Sequence, residues 1–158
     1  MKYTKIIISI VVVVIVLAIA FLAVKKSVFA PADLRTVLLV SYSGGATAND
    51  IRNISVMPGD AITSPFRITG EARGPWYFEA SFPVLLTDGD GLIIAEGHAE
   101  AQTEWMTTEF VPFQAVLEFS VPANADAFGR RGFLILKNDN PSGEPARDKS
   151  AEIPVFFK

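Results

Sequence analysis

The chain has no cysteine and only one histidine, His98. Without cysteine there are no disulfides, no thiolate catalysis and no cysteine-based zinc sites. A domain outside the cytoplasm must then hold together through its apolar core. Acidic residues are missing from Met1 to Lys26, where Lys2, Lys5, Lys25 and Lys26 supply four of the 14 basic residues. The rest of the chain sets ten basic residues against all 17 acidic ones, a balance of −7 where the whole chain has −3. Such a domain is repelled by phosphate backbones and anionic lipid, which argues against nucleic acid as a partner. A persistent helical period is also missing beyond Lys26.

What is there begins with Ile6 to Val24, built only from Ile, Val, Leu, Ala and Phe apart from Ser9. At about 1.5 Å per residue a helix over this run is about 28 Å long, close to the ~30 Å hydrocarbon core of a bilayer. A soluble amphipathic helix would carry a polar side, and this run has none. A cleavable secretory signal has a shorter apolar core of ~7–15 residues and a small-x-small cleavage site. Ala18-Ile19-Ala20 fits that pattern but lies inside the run, and Val28-Phe29-Ala30 is followed directly by Pro31. A lipoprotein signal needs a cysteine. The reading is therefore an uncleaved signal anchor, with the membrane as partner through Ile6–Val24. The lysines on its two sides nearly balance, so the positive-inside rule gives little direction. The five-residue head is too short to be a domain. It is placed in the cytoplasm, making a single-pass cell membrane protein whose C-terminal domain is extracytoplasmic.

Residues 1–26 are thus read as the anchor, 27–50 as a tether and 51–158 as the domain. The tether holds a β-prone apolar run, Thr36 to Tyr42, before the breaker-rich Ser43 to Asp50. It is expected either to dock on the domain as an extra strand or to stay close to the bilayer, the rival role being an interaction strand for another protein. Beyond it, strands are expected over Ile51–Met57, Pro65–Ala72, Trp76–Thr87, Leu92–Ala101, Phe113–Val121, Phe133–Leu136 and Ala151–Phe157. The third has the clearest period of two, with Trp76, Phe78, Ala80, Phe82, Val84 and Leu86 on one face. Pro83 cannot donate to a ladder, so an edge or bulge is expected there. The fold class that follows is all-β. It is an immunoglobulin-like antiparallel β-sandwich of about seven strands, preceded by one transmembrane helix.

The candidate motifs each carry a plainer reading. Asp88-Gly89-Asp90-Gly91 invites calcium, but with Gly91 at position 6 of an EF-hand loop, Leu86 and Gly97 fall at positions 1 and 12. A tight hairpin turn is expected instead. His98 shares a strand face with Glu96 and Glu100, where solvated carboxylates are commoner than a metal or catalytic set. Trp105 lies among polar residues and is packed under its own loop, or else is a binding hot spot or a membrane-interface anchor. Asn138 to Pro145 is rich in turn formers. It is either a long rigid turn or an oxygen-rich ligand loop at one end of the sandwich. The candidate binding residues are Asp139, Asn140, Ser142 and Trp105; no catalytic residue, metal site or cofactor is expected.

Several fragments in order resemble the immunoglobulin-like domain of bacterial spore germination proteins and of other bacterial envelope proteins. They are Ile62-Thr63-Ser64-Pro65, Ile68-Thr69-Gly70-Glu71-Ala72, and Trp76 with Phe78 to Val84. Glu104-Trp105-Met106, Pro112-Phe113, Asp139 to Gly143 and Ile153-Pro154-Val155 complete the set. The resemblance spans about Ile51 to Lys158 and implies a β-sandwich at the cell envelope with a non-enzymatic role in binding or assembly. It implies core packing for Trp76, Phe78, Phe82, Trp105 and Phe113, and makes Asp139 to Gly143 the best candidate for a shared functional surface. The chain departs from the spore-germination arrangement in carrying an anchor and tether where those proteins carry a partner domain. The function expected is a membrane-anchored, extracytoplasmic, non-catalytic module for an envelope protein or cell-wall component. The alternative is a cation- or small-ligand-binding envelope domain using the 138–145 loop.

Overall fold

The computed structural model describes residues 39–121 and 129–158. The expected anchor over Ile6–Val24 and the tether before Leu39 lie outside these residues. Among the described residues no helix is long and apolar enough to cross a membrane.

Nine strands, not seven, are present among the described residues. They are β1 (Ser41–Ser43), β2 (Ile51–Arg52), β3 (Ala61–Ile62), β4 (Phe66–Arg73), β5 (Ser81–Asp88), β6 (Ile93–Ala101), β7 (Phe110–Leu117), β8 (Arg131–Lys137) and β9 (Ser150–Phe157). The extra two are short. β1 is the end of the tether run and pairs with β9. β3 arises because the expected Ile51–Met57 strand stops after Arg52, where Asn53 takes φ 53°; asparagine is among the few residues that tolerate this region. The chain then re-pairs at Ala61–Ile62, parallel to β9. The strand expected from Phe113 starts at Phe110 and ends at Leu117.

The longest departure is in the strand expected from Trp76. Gly74–Trp76 forms a 3-10 turn, and the alternation breaks at Glu79 and Ala80, whose φ values are 51° and 64°. Reciprocal Phe78–Ser81 backbone hydrogen bonds of 3.0 and 3.1 Å close that turn. Trp76 and Tyr77 are consequently both buried, while Phe78 is exposed rather than in the core. From Phe82 onward the period of two holds: Phe82, Val84 and Leu86 are fully buried. Pro83 pairs with His98 of β6 but lies one residue before the first β8 partner, Val84. On its β8 side it is an edge, as a residue without N–H requires. The bulge of β5 falls at Leu86/Thr87 instead.

The strands run β1-β9-β8-β5-β6-β7-β4-β2, with β3 also on β9. Every pairing is antiparallel except β3–β9. The order folds into two layers, β9-β8-β5-β6 against β7-β4-β2, joined where Glu100 and Ala101 of β6 reach β7. Phe82 and Phe113 meet edge-to-face at 5.0 Å although β5 and β7 are not neighbours in the order, so this contact crosses the core. Ile68, Leu117, Leu134, Leu136 and Ile153 belong to the same buried cluster. Each such side chain contributes about 1.5–3 kcal/mol, and the aromatic pair about 0.5–1.5 kcal/mol beyond its area. This apolar core, with no cysteine to help, accounts for the stability of the sandwich.

Candidate loop-end binding cleft

Antiparallel register gathers four connections at one end of the sandwich: residues 44–50, 74–80, 102–109 and 138–149. The Ser43↔Ser150 pair, the Arg73↔Phe110 pair and the Lys137↔Ser150 pair fix this. The Asp88–Gly91 turn lies at the other end, where Asp88 pairs with Gly132 at the start of β8. Asp88 Oδ1 accepts from the N–H groups of Asp90 and Leu92 at 3.0 and 2.9 Å, and Gly91 takes φ 84°. That is hairpin chemistry. Among the described residues no three His, Asp or Glu side chains are grouped to hold a metal ion. Glu96, His98 and Glu100 are exposed on the outer face of β6.

The four connections enclose a half-open cleft of about 560 Å³, lined by Asn49, Asp50, Arg73, Pro75, Trp76, Thr108, Asn138 to Ser142, Arg147 and Lys149. Its 138–149 wall is built from its own polar side chains. Asn138, nearly buried, donates from Nδ2 to the Arg147 carbonyl at 3.2 Å and accepts the Lys149 N–H at 2.6 Å. Asn140 Nδ2 donates to the Glu144 carbonyl and to Asp148 Oδ1, both at 2.8 Å. The Ser142 hydroxyl bonds to Asn140 Oδ1 at 2.6 Å. Asn140 and Ser142 are therefore committed to holding the loop. Asp139 differs: its N–H donates to the Trp76 carbonyl at 3.0 Å, and its half-buried carboxylate has no partner among the described residues.

Charge in the cleft is mostly settled within the protein. Lys149 Nζ meets Asp50 Oδ1 at 3.0 Å, and Arg147 Nε meets Glu144 at 2.9 Å. Burial pushes the Asp50 carboxyl up, but hydrogen bonds from Lys149 and Thr47 and the Lys149 charge outweigh it and hold its pKa below the ordinary aspartate value. The Asn140 hydrogen bond, aided by Lys137, lowers Asp148 in the same direction. Arg73 donates to the carbonyls of Asn49 and Thr108, both at 3.1 Å, and stacks on Phe110 at 4.2 Å. Its guanidinium lies 3.8 Å from Glu109. Deeper in, the Tyr77 hydroxyl donates to the Val111 carbonyl at 2.8 Å, and burial raises its pKa far above the usual tyrosine value.

Of the sequence candidates, Asp139, Asn140 and Ser142 come together in this cleft, and Trp105 does not. Trp105 is half-buried against the core. Its carbonyl backs onto Gly74, where an added Cβ would lie 2.6 Å away, and accepts the Thr107 N–H at 2.8 Å. Sequence reasoning missed Asn49, Asp50, Arg73, Thr108, Arg147 and Lys149 as cleft residues. By sequence Asp50 falls in the tether and Arg73 at a strand end, and only the register across both layers joins them.

Residues 55–130 match the family model of the immunoglobulin-like domain of bacterial spore germination. The matched stretch covers β3 to β7 and ends before β8, so the 138–149 wall of the cleft lies outside it. No curated protein and no solved structure matches the chain.

Proposed function

We propose that the chain is a membrane-anchored, extracytoplasmic immunoglobulin-like module that binds an envelope protein or cell-wall component through the loop-end cleft, without catalysis. The observation that carries this reading is the cleft itself. Loops from both layers converge on it, and it is lined by the half-buried Asp139, whose carboxylate has no partner among the described residues. Loops on a rigid sandwich are where binding surfaces are usually built. The family match at residues 55–130 supports a non-catalytic binding module. The apolar run Ile6–Val24 supports anchorage. The acidic balance beyond Lys26 disfavours lying on anionic lipid and leaves the domain for a partner of its own.

Crosslinking the full chain in intact membranes tests the reading, comparing the wild type with Asp139→Arg. The expected result is reproducible recovery of one envelope protein or cell-wall fragment by the wild type and its loss in the variant. Equal recovery by both, or nothing recovered by either, overturns it. The alternative, a cation or small-ligand site on the 138–145 loop, draws on the same free carboxylate. It is weakened because Asn140 and Ser142 spend their oxygens on the loop. A calcium site at 100 times its dissociation constant would add about 2.7 kcal/mol. No change in melting temperature is expected at millimolar calcium, and a rise would favour the alternative.

A further inference from the structure

The outer face of the β9-β8-β5-β6 layer is apolar at its centre, where a sheet face turned to water is ordinarily polar. In β8 and β9 the alternate residues Leu134, Leu136, Ile153 and Val155 fill the core, so the residues between them point outward. Register sets Phe133 between Thr87 of β5 and Pro154 of β9, Ile135 between Leu85 and Glu152, and Arg131 beside Phe156. Ile93 of β6 extends the Phe133 rung through Thr87. Phe133 is 40% exposed and Ile93 51%, while Leu85, Ile135, Pro154 and Phe156 are half-buried. A contiguous apolar patch of this kind marks an interaction surface.

The charges around the patch say what covers it. Arg131 lies two residues to one side of the Phe133–Pro154 rung, and Glu152 lies two residues to the other side, on the neighbouring strand. Neither has an ion-pair partner among the described residues. Arg131 lies over the Phe156 ring at 5.9 Å, and Glu152 accepts the Ser150 hydroxyl at 3.3 Å. A contact between identical copies about a two-fold axis needs this arrangement, because whatever residue i meets at j, j must meet at i. With the axis along the rung, the second copy runs with its strands reversed. Arg131 of one copy then stands over Glu152 of the other, twice, one strand spacing of about 4.8 Å aside. Stacked sheets lie ~10 Å apart, a gap that an arginine and a glutamate reaching from opposite sides close. We propose that two copies of the chain pair face to face through this patch, with Phe133 and Pro154 on the two-fold axis. The acidic balance of the domain disfavours anionic lipid as the cover. Continuing the β1 register puts Leu39 opposite Pro154, on the same rung. Both chains therefore enter the pair at one edge, beside the axis, as two copies held in one membrane require. That last support rests on the anchorage reading; the charge pattern stands without it. The loop-end clefts, at the strand ends, stay open and point in opposite directions.

The lack of cysteine gives the test a clean background. Pro154→Cys puts one thiol on the axis rung. Val116→Cys puts one at a 47% exposed site on the outer face of β7, in the other layer. Each full chain, in intact membranes, is treated with a short bismaleimide whose arm spans the gap between the sheets. The expected result is a crosslinked dimer from Pro154→Cys, at least about tenfold more than from Val116→Cys. Adding Arg131→Glu to Pro154→Cys sets like charges against each other twice and should cut the dimer about tenfold. Adding Glu152→Arg as well reverses both signs and should restore it, which misfolding would not. A dimer no more abundant from Pro154→Cys than from Val116→Cys overturns the proposal. So does a yield indifferent to Arg131→Glu, or one that Glu152→Arg leaves unrestored. Adducts with a different protein in place of the dimer overturn it too and assign the face to that partner. The cleft takes no part in the pairing, so failure here leaves the Asp139-dependent crosslinking as a separate test of the binding-module reading.

Discussion

At the residue scale, two positions separate backbone strain from packing strain. Ala80 holds φ 64° in the Phe78–Ser81 turn, and the left-handed region costs a side-chain-bearing residue about 1–2 kcal/mol. Ala80→Gly removes that cost but gives the unfolded chain about 0.4–1 kcal/mol more freedom. The relief of strain outweighs the added freedom, so Ala80→Gly should stabilise by about 0.5–1 kcal/mol, read as a higher urea midpoint at unchanged slope. Gly70 is the opposite case. An added Cβ would lie 2.6 Å from the Phe113 ring, and Phe113 is buried against Phe82, so it has nowhere to turn. Gly70→Ala should lower the urea midpoint by the equivalent of about 1–3 kcal/mol. A neutral result would mean that the two layers are less tightly packed than the Phe82–Phe113 contact implies.

At the element scale, the 44–50 and 138–149 loops are held together by the Lys149–Asp50 pair and by the Ser43–Ser150 hydroxyl contact of 2.6 Å. Because the folded Asp50 pKa is lowered, its contribution is fully present above the ordinary aspartate value of about 4. It is lost as pH falls through the lowered pKa. The pair is partly exposed, so its share is modest. Amide exchange at Lys149 and Thr47 should accelerate below about pH 4 relative to the core strands. Asp50→Asn should show the faster exchange already at neutral pH, with little further change on acidification. Unaltered exchange in that variant would show that the loops are held otherwise. The strands β5 and β7 were legible in the sequence because alternation records which face is buried, as in Phe82, Val84 and Leu86, and β8 was legible as a short apolar run. The turn at Glu79–Ala80 was not, since neither residue is one that usually signals positive φ. Asp139, Asn140 and Ser142 were legible as a turn-rich cluster. Their partners were not, because Lys149 and Asp50 are 99 positions apart and meet only once both layers have formed.

At the scale of the whole molecule, one edge of β9 is shared by two short strands. β1 covers Ser150 to Glu152. From Pro154 onward the same strand is taken up by the next segment: Gly59 N–H donates to the Pro154 carbonyl and Phe156 N–H to the Asp60 carbonyl, both at 2.8 Å, and β3 pairs with Phe156 and Phe157. In this register Leu39 would fall opposite Pro154, where β9 is already taken up. Leu39 is left 68% exposed. β1 runs antiparallel to β9, so the chain enters it from the end opposite the cleft and delivers residues 44–50 to the cleft wall. Lys158 also lies at that opposite end, exposed, with its N–H on the Ile62 carbonyl at 3.0 Å, so a fusion there leaves the cleft untouched. The expected topology puts that terminus outside the cytoplasm. A reporter enzyme active only in the cytoplasm and fused after Lys158 should be silent, while one active only after export should work. Moving Lys2 and Lys5 to neutral residues should weaken the orientation, because the charge bias across Ile6–Val24 is nearly even. Strong cytoplasmic activity of the unaltered fusion would reverse the assignment and place the cleft inside the cell, away from the envelope partner proposed for it.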